Sequence, residues 1–447
     1  MTDLAAAVQA LMPAVLDDLR DLVRIESVWD DPPRRPHVHR SAAAVADLLR
    51  AAGFAEVDVV EAGGAPAVIA HHPAPPGAPT ALLYAHHDVQ PEGEHGLWTT
   101  PPFDPQERAG RLYGRGAADD KAGIAAHLAA FRAHEGNPPV GVTVFVEGEE
   151  ESGSESLVRI LDQHRDRLAA DVMVIADSGN WDIGVPALTT SLRGLVDCVV
   201  EVRTLDHAVH SGMWGGVAPD ALTMLVRLLA TLHDDAGNVA IAGLASGPAS
   251  ELDYPEDRLR AESSLLDGVG YLGDGSFVER LWTRPSCTVL AIDATPVSKA
   301  SNTLSPIARA KVSVRLAPGD EASRAERALH AHLKAHAPFG AHVDVLPGDK
   351  GEPFSIDATG PAYDAARSAF REAWGGVDPV DMGVGGSIPF IAEFARVFPN
   401  AKVLVTGVED PDTRAHGIDE SLHLAEFERV CVAEALLLQR LADSHVG

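Results

Sequence analysis

Short apolar runs that alternate with helical stretches dominate the first 190 residues, and this alternation limits the possible folds more than any other feature. Runs of mostly apolar residues occupy positions 81–85, 142–146 and 172–176. Stretches with helical character lie between and after them, at 122–134 and 154–168. Apolar strands that alternate with helices are typical of a mostly parallel sheet with helices on both faces. We therefore predict an α/β domain of this kind.

The pattern changes near residue 190 and returns near residue 351. The segment between them has a few longer strand-like runs and two helical stretches, which are typical of an α+β arrangement. The strands are predicted near 195–202, 308–316 and 341–346, and the helices near 220–233 and 324–336. We predict that residues 1–190 and 351–447 form the main domain and that residues 191–350 form a smaller domain inserted into it.

Four of the predicted strands lead into histidine or acidic residues. In an open parallel sheet, ligands bind outside the carboxyl ends of the strands. The residues that follow these strands are 86–88, the acidic stretch 147–151, Asp177 and, in the loop after a strand near 403–406, His416. Their convergence predicts a polar site at this edge of the sheet.

His86 and Asp88 are separated by one residue, so on an extended chain their side chains point to the same side. His86 could therefore bind a metal ion while Asp88 orients its imidazole ring. His87 would then face the opposite way. The alternative is a polar loop with two unrelated histidines, and so short a pattern does not decide between the two by itself.

Two acidic segments add carboxylates to this edge. Residues 112–121 contain glycines that allow a sharp bend, followed by Asp119 and Asp120 directly before a helix. Either aspartate could cap that helix, and capping is compatible with metal binding. Four glutamates occupy positions 147–151, where like charges raise one another's pKa unless a cation neutralises them. A solvated acidic turn is the alternative, but the position after an apolar strand favours a site.

The candidate ligands are His86, Asp119, Glu151, Asp177 and His416, with no cysteine among them. Nitrogen and oxygen ligands suit Zn²⁺ or a similar divalent ion. One bridging carboxylate with two further ligands for each ion would hold two ions about 3.5–4 Å apart. We predict a site for two divalent metal ions, with Zn²⁺ as the expected ion and Mn²⁺ or Co²⁺ as alternatives.

Composition excludes several other classes of protein. The net charge of −29 argues against nucleic acid or an anionic membrane as the main partner. No apolar run approaches the roughly 20 residues that a membrane span requires. The N-terminal segment has the periodicity of an amphipathic helix and lacks the basic start of a signal peptide. Three widely spaced cysteines without a CxxC pair favour a reducing compartment, so we predict a cytoplasmic protein.

Seven stretches resemble the M20 family of co-catalytic metallopeptidases, in the family's order and across nearly the whole chain. They are residues 84–91, 112–121, 150–154, 177, 210–212, 385–389 and 415–416. The first two look most like the dipeptidase and carnosinase-like branch, whose relatives include aminoacylases, acetylornithine deacetylases and carboxypeptidase G-like enzymes. The resemblance implies a di-zinc exopeptidase-like catalytic domain, an inserted lid and dimerisation domain, and a homodimer.

The resemblance also assigns roles to the candidate ligands. His86 and Asp177 would bind one metal ion, and Glu151 and His416 would bind the other. Asp119 would bridge the two ions, and the peptide bond between residues 119 and 120 would be cis. These assignments agree with the ligand types expected from the strand ends.

Catalytic roles follow from the same resemblance. Glu150 would take a proton from the water that attacks the substrate and return it to the leaving amine. Asp88 would orient His86. His210 would reach the active site of the partner subunit and stabilise the oxyanion of the tetrahedral intermediate; without the resemblance, a surface histidine would be the preferred interpretation.

Substrate-binding residues are expected in the inserted domain and in one glycine-rich segment. By resemblance, Asn302 and Thr303 would grip the substrate together with His210 and Ser387. Arg315 could pair with a terminal carboxylate through both arms of its guanidinium, although a strand arginine could equally be solvated.

The chain departs from the family pattern at a few positions. Ala85 stands where glycine is usual, and His87 stands beside His86, so the two histidines could be confused. Gly383 and Val384 precede the glycine-rich segment where dipeptidase-like members often carry an arginine. This difference bears on how a free dipeptide is recognised.

We predict a metal-dependent dipeptidase that hydrolyses an amide bond in dipeptides or similar small amino-acid derivatives. An N-acyl-amino-acid deacylase on the same site is the near alternative, and a non-catalytic metal-binding homologue is the distant one. Retention of Glu150, Asp88 and His210 beside the ligands argues against the distant one. A two-metal phosphate-ester hydrolase would require more cationic side chains than Arg315 alone.

Overall fold

The computed structural model describes residues 3–247, 252–385 and 389–444. The chain forms two compact units. One contains Met1–Thr190, Ile356–Met382 and Pro389–Gly447, and the other contains Ser191–Ser355 and Gly383–Ile388. Residues 351–355 and 383–385, which the sequence pattern assigns to the main domain, belong to the second unit by this division.

The strands and α-helices of both units are numbered in chain order. The strands are β1 (Glu56–Val60), β2 (Ala67–His72), β3 (Thr80–His86), β4 (Gln106–Arg108), β5 (Arg111–Tyr113), β6 (Gly141–Glu147), β7 (Val172–Ile175), β8 (Ala187–Leu192), β9 (Gly194–Arg203), β10 (Val209–His210), β11 (Ser286–Asp293), β12 (Thr303–Leu304), β13 (Ile307–Leu316), β14 (His342–Gly351), β15 (Phe354–Ser355), β16 (Val380–Val384), β17 (Lys402–Val405) and β18 (Ser421–His423). The α-helices are α1 (Leu4–Val23), α2 (Arg35–Ala52), α3 (Lys121–Ala133), α4 (Leu157–Gln163), α5 (Arg165–Leu168), α6 (Ser211–Trp214), α7 (Ala221–Leu229), α8 (Glu256–Glu262), α9 (Ala322–Ala335), α10 (Pro361–Ala373), α11 (Pro389–Val397) and α12 (Leu424–Asp443).

The main sheet has the strand order β1-β2-β6-β3-β7-β17-β8, with β16 beside β8 and β15 paired to the end of β8. Its central strands β6, β3, β7 and β17 are parallel to one another. The strands on both sides of them run antiparallel. The expected mostly parallel core of the sheet is confirmed, with antiparallel strands at its flanks.

Helices cover both faces of this sheet. On β3, Ala81 and Leu83 belong to a core that also contains buried residues of α1, α2, α3, α10 and α12. Successive strand residues point to opposite faces, so Leu82 and Tyr84, which are also fully buried, face the other layer. On that side α5 contacts β6 and α4 contacts α11. The α/β architecture predicted from the sequence is therefore present.

Helix α1 shows how the N-terminal pattern becomes structure. Asp3 caps it by accepting a hydrogen bond from the Ala6 N–H at 3.1 Å. Its buried residues recur at helical spacing and include Val8, Val15 and Leu19. Within the residues that the structure describes, no helix combines the length and apolar character needed to cross a membrane.

The second unit contains a four-stranded antiparallel sheet with the order β11-β13-β9-β14. Helices α7 and α9 contribute buried residues to its core, among them Leu225 and Leu329. Strand β11 was not expected from the sequence. It lies at a sheet edge where Leu290 and Ile292 are exposed, so it lacks the continuous burial that made the central strands recognisable. Helix α8 lies within the Gly- and Pro-rich segment 246–277, where no helix was predicted.

Candidate metal centre

The carboxyl ends of four adjacent parallel strands carry the candidate site. His86 is the last residue of β3, and Asp177 follows β7 by two residues. Glu150 and Glu151 begin a 3-10 turn shortly after β6, and His416 lies in the loop that follows β17. Because β6, β3, β7 and β17 are neighbours in the sheet, all of these residues emerge at one edge.

Asp119 lies between the two histidines. Its Oδ1 is 3.2 Å from Nε2 of His86, and its Oδ2 is 3.0 Å from Nε2 of His416. Nε2 of His416 is also 3.1 Å from Oε2 of Glu151. A carboxylate with one oxygen directed to each imidazole has the geometry expected of a ligand that bridges two ions.

Two groups of three among the described residues bring potential ligand atoms within 4.8 Å of one another. One group is His86, Asp119 and Glu151, and the other is His86, Glu150 and Asp177. The second contains Glu150, to which the resemblance gives the role of base. The cluster thus unites the five predicted ligands with Glu150, while the division of ligands between two ions stays a prediction.

Asp88 supports the cluster in two ways. Its carboxylate accepts hydrogen bonds from the backbone N–H groups of Glu150 and Glu151, at 3.2 and 3.1 Å. Nδ1 of His86 lies 3.1 Å from the backbone oxygen of Asp88 and 3.5 Å from its carboxylate. Because a carbonyl can only accept, Nδ1 donates to it, and Nε2 is the ring nitrogen that faces Asp119 and would be available to a metal ion. The backbone of Asp88 therefore orients His86, and its side chain holds the glutamate turn.

His87 does not belong to this cluster. Its Nε2 lies 2.9 Å from the backbone oxygen of Pro66, and the whole side chain is buried. Burial lowers the pKa of His87 to about 4, so the ring is neutral near pH 7. Successive residues of an extended chain face opposite ways, so His87 points away from the cluster that contains His86.

The electrostatics of the cluster fit divalent cations. Burial and the charge of Asp177 raise the pKa of Glu150 well above its usual value. Hydrogen bonds to Asp119 and Glu151 raise the pKa of His416 to about 11. The imidazolium ring thus supplies the positive charge that the packed carboxylates require. A divalent ion would take over that charge and displace the protons, so the donor set suits a metal centre.

Asp120 and the backbone around it complete this edge. The peptide bond between Asp119 and Asp120 is cis, as the resemblance implied. Oδ2 of Asp120 accepts a hydrogen bond from the backbone N–H of His86 at 3.1 Å. Burial raises the pKa of Asp120 well above its usual value, and the charge of Asp119 adds to the effect. Asp120 therefore ties the end of β3 to the start of α3.

The second unit holds the other predicted residues that the structure describes. His210 pairs with Thr303 in the short β10–β12 ladder, and the Ser211 N–H donates to the backbone oxygen of Asn302 at 2.9 Å. Arg315 lies separately on β13, opposite Leu195 of β9. The predicted substrate-binding residue Ser387 lies outside the described residues. Substrate roles for all of these residues stay predictions.

Sequence reasoning missed two residues beside the cluster. Gln90 donates hydrogen bonds to both carboxylate oxygens of Glu151, from its N–H at 3.2 Å and from Nε2 at 2.8 Å. Glu409 lies at a short bridge to Gly179, and burial with the charges of Asp119 and Asp177 raises its pKa well above the usual value. Glu409 follows β17 closely, so the strand-end rule could have found it.

A sheet covered on both faces, with a partly buried cluster of His, Asp and Glu at the carboxyl ends of its parallel strands, defines a metal-dependent hydrolase. The chain belongs to peptidase family M20/M25/M40, whose sequence profile matches residues 82–440. This agrees with the resemblance seen in the sequence motifs.

Named relatives are similar over most of the chain. A cysteinylglycine-S-conjugate dipeptidase from Corynebacterium striatum is 39% identical over 367 residues, which cover 81% of this chain and 81% of that protein. A Beta-Ala-His dipeptidase from Rattus norvegicus is 30% identical over 96% of this chain and 93% of its own length. The crystal structure of human carnosine dipeptidase 1 superposes with a TM-score of 0.83 at 27% identity, covering 98% of each chain.

Proposed function

We propose that this protein is a metal-dependent dipeptidase that hydrolyses the peptide bond of small dipeptides with a free amino group. The observation that carries the proposal is the position of Asp119 between His86 and His416, with Glu150 in the same cluster. The names of the relatives support dipeptides as the substrate class. Peptides of the cysteinylglycine and β-alanylhistidine kinds are therefore the first candidates.

The residues present suit two divalent ions, and we propose Zn²⁺ because the ligands are imidazole nitrogens and carboxylate oxygens. His86 and Asp177 are assigned to one ion, Glu151 and His416 to the other, and Asp119 to both. When bound, such ions polarise the scissile carbonyl and lower the pKa of the attacking water.

Glu150 is assigned the proton transfers. Its backbone N–H donates to the Asp88 carboxylate at 3.2 Å, which holds the start of the turn that carries Glu150. It accepts the proton that the attacking water loses and delivers it to the amine nitrogen as the C–N bond breaks. Burial and the charge of Asp177 raise the pKa of its carboxyl, which helps Glu150 to retain that proton until the amine leaves.

The remaining assignments follow the family resemblance. We propose that His210 stabilises the oxyanion from the partner subunit of a homodimer, and that Asn302, Thr303, Arg315 and Ser387 bind the substrate. A cytoplasmic location is also proposed. It is supported by the three cysteines, which are unpaired and buried in the structure.

A panel of free dipeptides and N-acetylated amino acids, with and without chelator and added Zn²⁺, tests the function. We expect cleavage of dipeptides that is lost with chelator and restored by metal. The Glu150→Gln variant is the matched control, because it keeps the size of the side chain while removing the base. Cleavage of N-acetylated amino acids but not of dipeptides would show that the protein is a deacylase and not a dipeptidase. No cleavage of either class by the metal-loaded protein would contradict enzymatic activity.

A further inference from the structure

A buried ion pair behind the metal centre joins the two loops that carry Asp119 and His416. Nη1 of Arg115 donates to Oε2 of Glu420 at 2.5 Å, and the two side chains are 1% and 0% exposed. Neither residue belongs to the ligand set. Burying two charged side chains carries a large desolvation cost. The pair nevertheless lies between the two loops that carry Asp119 and His416.

Glu420 holds the backbone beside Asp119. Its Oε1 accepts hydrogen bonds from the N–H groups of Ala118 and Asp119, at 3.1 and 3.2 Å. The backbone oxygen of Glu420 also accepts from the N–H of Gly114 at 3.0 Å. The segment that leads into Asp119 is therefore fixed by a residue that lies about 300 positions away in the sequence.

Arg115 holds the loop beside His416. Its Nη2 donates to the backbone oxygen of Gly417 at 3.2 Å and to that of Pro91 at 3.4 Å. That loop contains non-glycine residues with left-handed backbone angles, Arg414, His416 and Asp419, with φ of 58°, 62° and 58°. Such conformations persist only where surrounding contacts fix them, and the guanidinium supplies one of these contacts directly after His416.

We propose that Arg115 and Glu420 are a positioning pair that sets the distance between Asp119 and His416 and thereby determines metal affinity. Glu420 contacts the loop that carries Asp119, Arg115 contacts the loop that carries His416, and the ion pair between them joins the two loops. The inference rests on the proposed metal-dependent function, but it concerns metal binding and not the choice of substrate. Residues that orient ligands from behind typically change metal affinity about 10–100-fold when they are replaced.

The test measures the Zn²⁺ dissociation constant by competition with a chromophoric chelator, together with the visible absorption spectrum of the Co²⁺-loaded protein. Glu420→Gln keeps an oxygen acceptor for the two N–H groups but removes the charge. Arg115→Lys keeps a buried positive charge, so it preserves the fold more readily, yet a single ammonium does not reproduce the planar fork. We expect both variants to bind Zn²⁺ about 10–100-fold more weakly and to shift the Co²⁺ spectrum.

Glu434→Gln is the matched control. Glu434 is also a buried carboxylate, bound to His127 at 2.8 Å, and that pair contacts neither ligand-bearing loop in the hydrogen bonds of the described residues. Its Zn²⁺ affinity and Co²⁺ spectrum are expected to match the wild type even if its thermal stability falls. Wild-type affinity and spectrum in a folded Arg115→Lys protein would overturn the inference. A wild type that binds Zn²⁺ tightly but cleaves no dipeptide would refute the proposed function alone.

Discussion

Glu147 offers a direct test of the electrostatics behind the candidate metal centre. It is the last residue of β6, is 1% exposed, and accepts a hydrogen bond from the Tyr84 hydroxyl at 2.9 Å. Burial raises the pKa of Glu147 from 4.5 to about 7, and the charge of Asp88 contributes to the rise. The folded protein therefore keeps a proton on this side chain at pH values where the unfolded chain has released it.

The sign of the effect on stability follows from this difference. Between pH 4.5 and about 7 the folded state binds more protons at Glu147 than the unfolded state does, so stability falls as the pH rises. A pKa moved from 4.5 to about 7, at roughly 1.4 kcal/mol for each pH unit, corresponds to about 3 kcal/mol. Below pH 4.5 both states are protonated and the effect disappears.

Glu147→Gln should remove this dependence because glutamine keeps the acceptor for Tyr84 and carries no ionisable group. In chelator-treated protein, urea unfolding at pH 4.5, 6 and 7.5 should show equal stability of variant and wild type at the lowest pH. At pH 7.5 the variant should be more stable by about 3 kcal/mol. Other site carboxylates titrate in both proteins, so the difference between them isolates Glu147.

Glu107→Gln serves as the control for this series. Glu107 is 52% exposed and forms a surface ion pair with Arg20 at 3.2 Å, and such pairs contribute little to stability. The difference in free energy of unfolding between Glu107→Gln and the wild type should stay small and independent of pH. A stability difference between Glu147→Gln and the wild type that is independent of pH would refute the argument that burial raises the pKa of Glu147. A Glu147→Gln protein that is less stable than the wild type at pH 7.5 would refute it as well.

Three further outcomes are expected. Glu150→Gln should lower kcat by about 10²–10⁴-fold while metal content, measured by mass spectrometry, stays at the wild-type value; loss of metal instead would make Glu150 a ligand. His416→Ala should lose metal, whereas His87→Ala should retain it, since His87 faces Pro66 and not the cluster; equal metal loss in both would contradict the assignment. Removing metal should lower the thermal midpoint at pH 8, where the carboxylates repel one another, and re-adding Zn²⁺ should restore it; an unchanged midpoint would argue against a metal centre in this cluster.

The central sheet was predictable because its strands are buried on both faces. Residues 81–85, 142–146 and 172–176 are mostly apolar runs, and each lies within or overlaps a parallel strand of the sheet. The edge strand β11 and helix α8 were not predicted, since exposed apolar residues and a Gly- and Pro-rich context give no clear periodicity. Elements whose residues are buried on both faces were therefore recognisable from the sequence, and exposed elements were not.

The candidate ligands were predictable for a related reason. Once the strands are recognised, parallel topology brings their carboxyl ends together, and the polar residues at those ends must meet. Asp119 is different, because it lies after the short strand β5 and before α3, outside the parallel strands. Its place between His86 and His416 depends on contacts with Glu420, and no local pattern in the sequence encodes a contact across so many residues.

The same charges that suit the cluster to a metal ion also govern its behaviour without metal. Asp119 keeps its pKa below the usual value despite burial because hydrogen bonds to His416 and His86 favour its charged form. Glu150 and Asp177 have raised pKa values, because burial and neighbouring charges disfavour ionisation. In the metal-free protein, the raised pKa values of His416, Glu150 and Asp177 favour the protonated forms of these groups. Metal binding must then release protons from both kinds of group, so metal affinity should weaken as the pH falls.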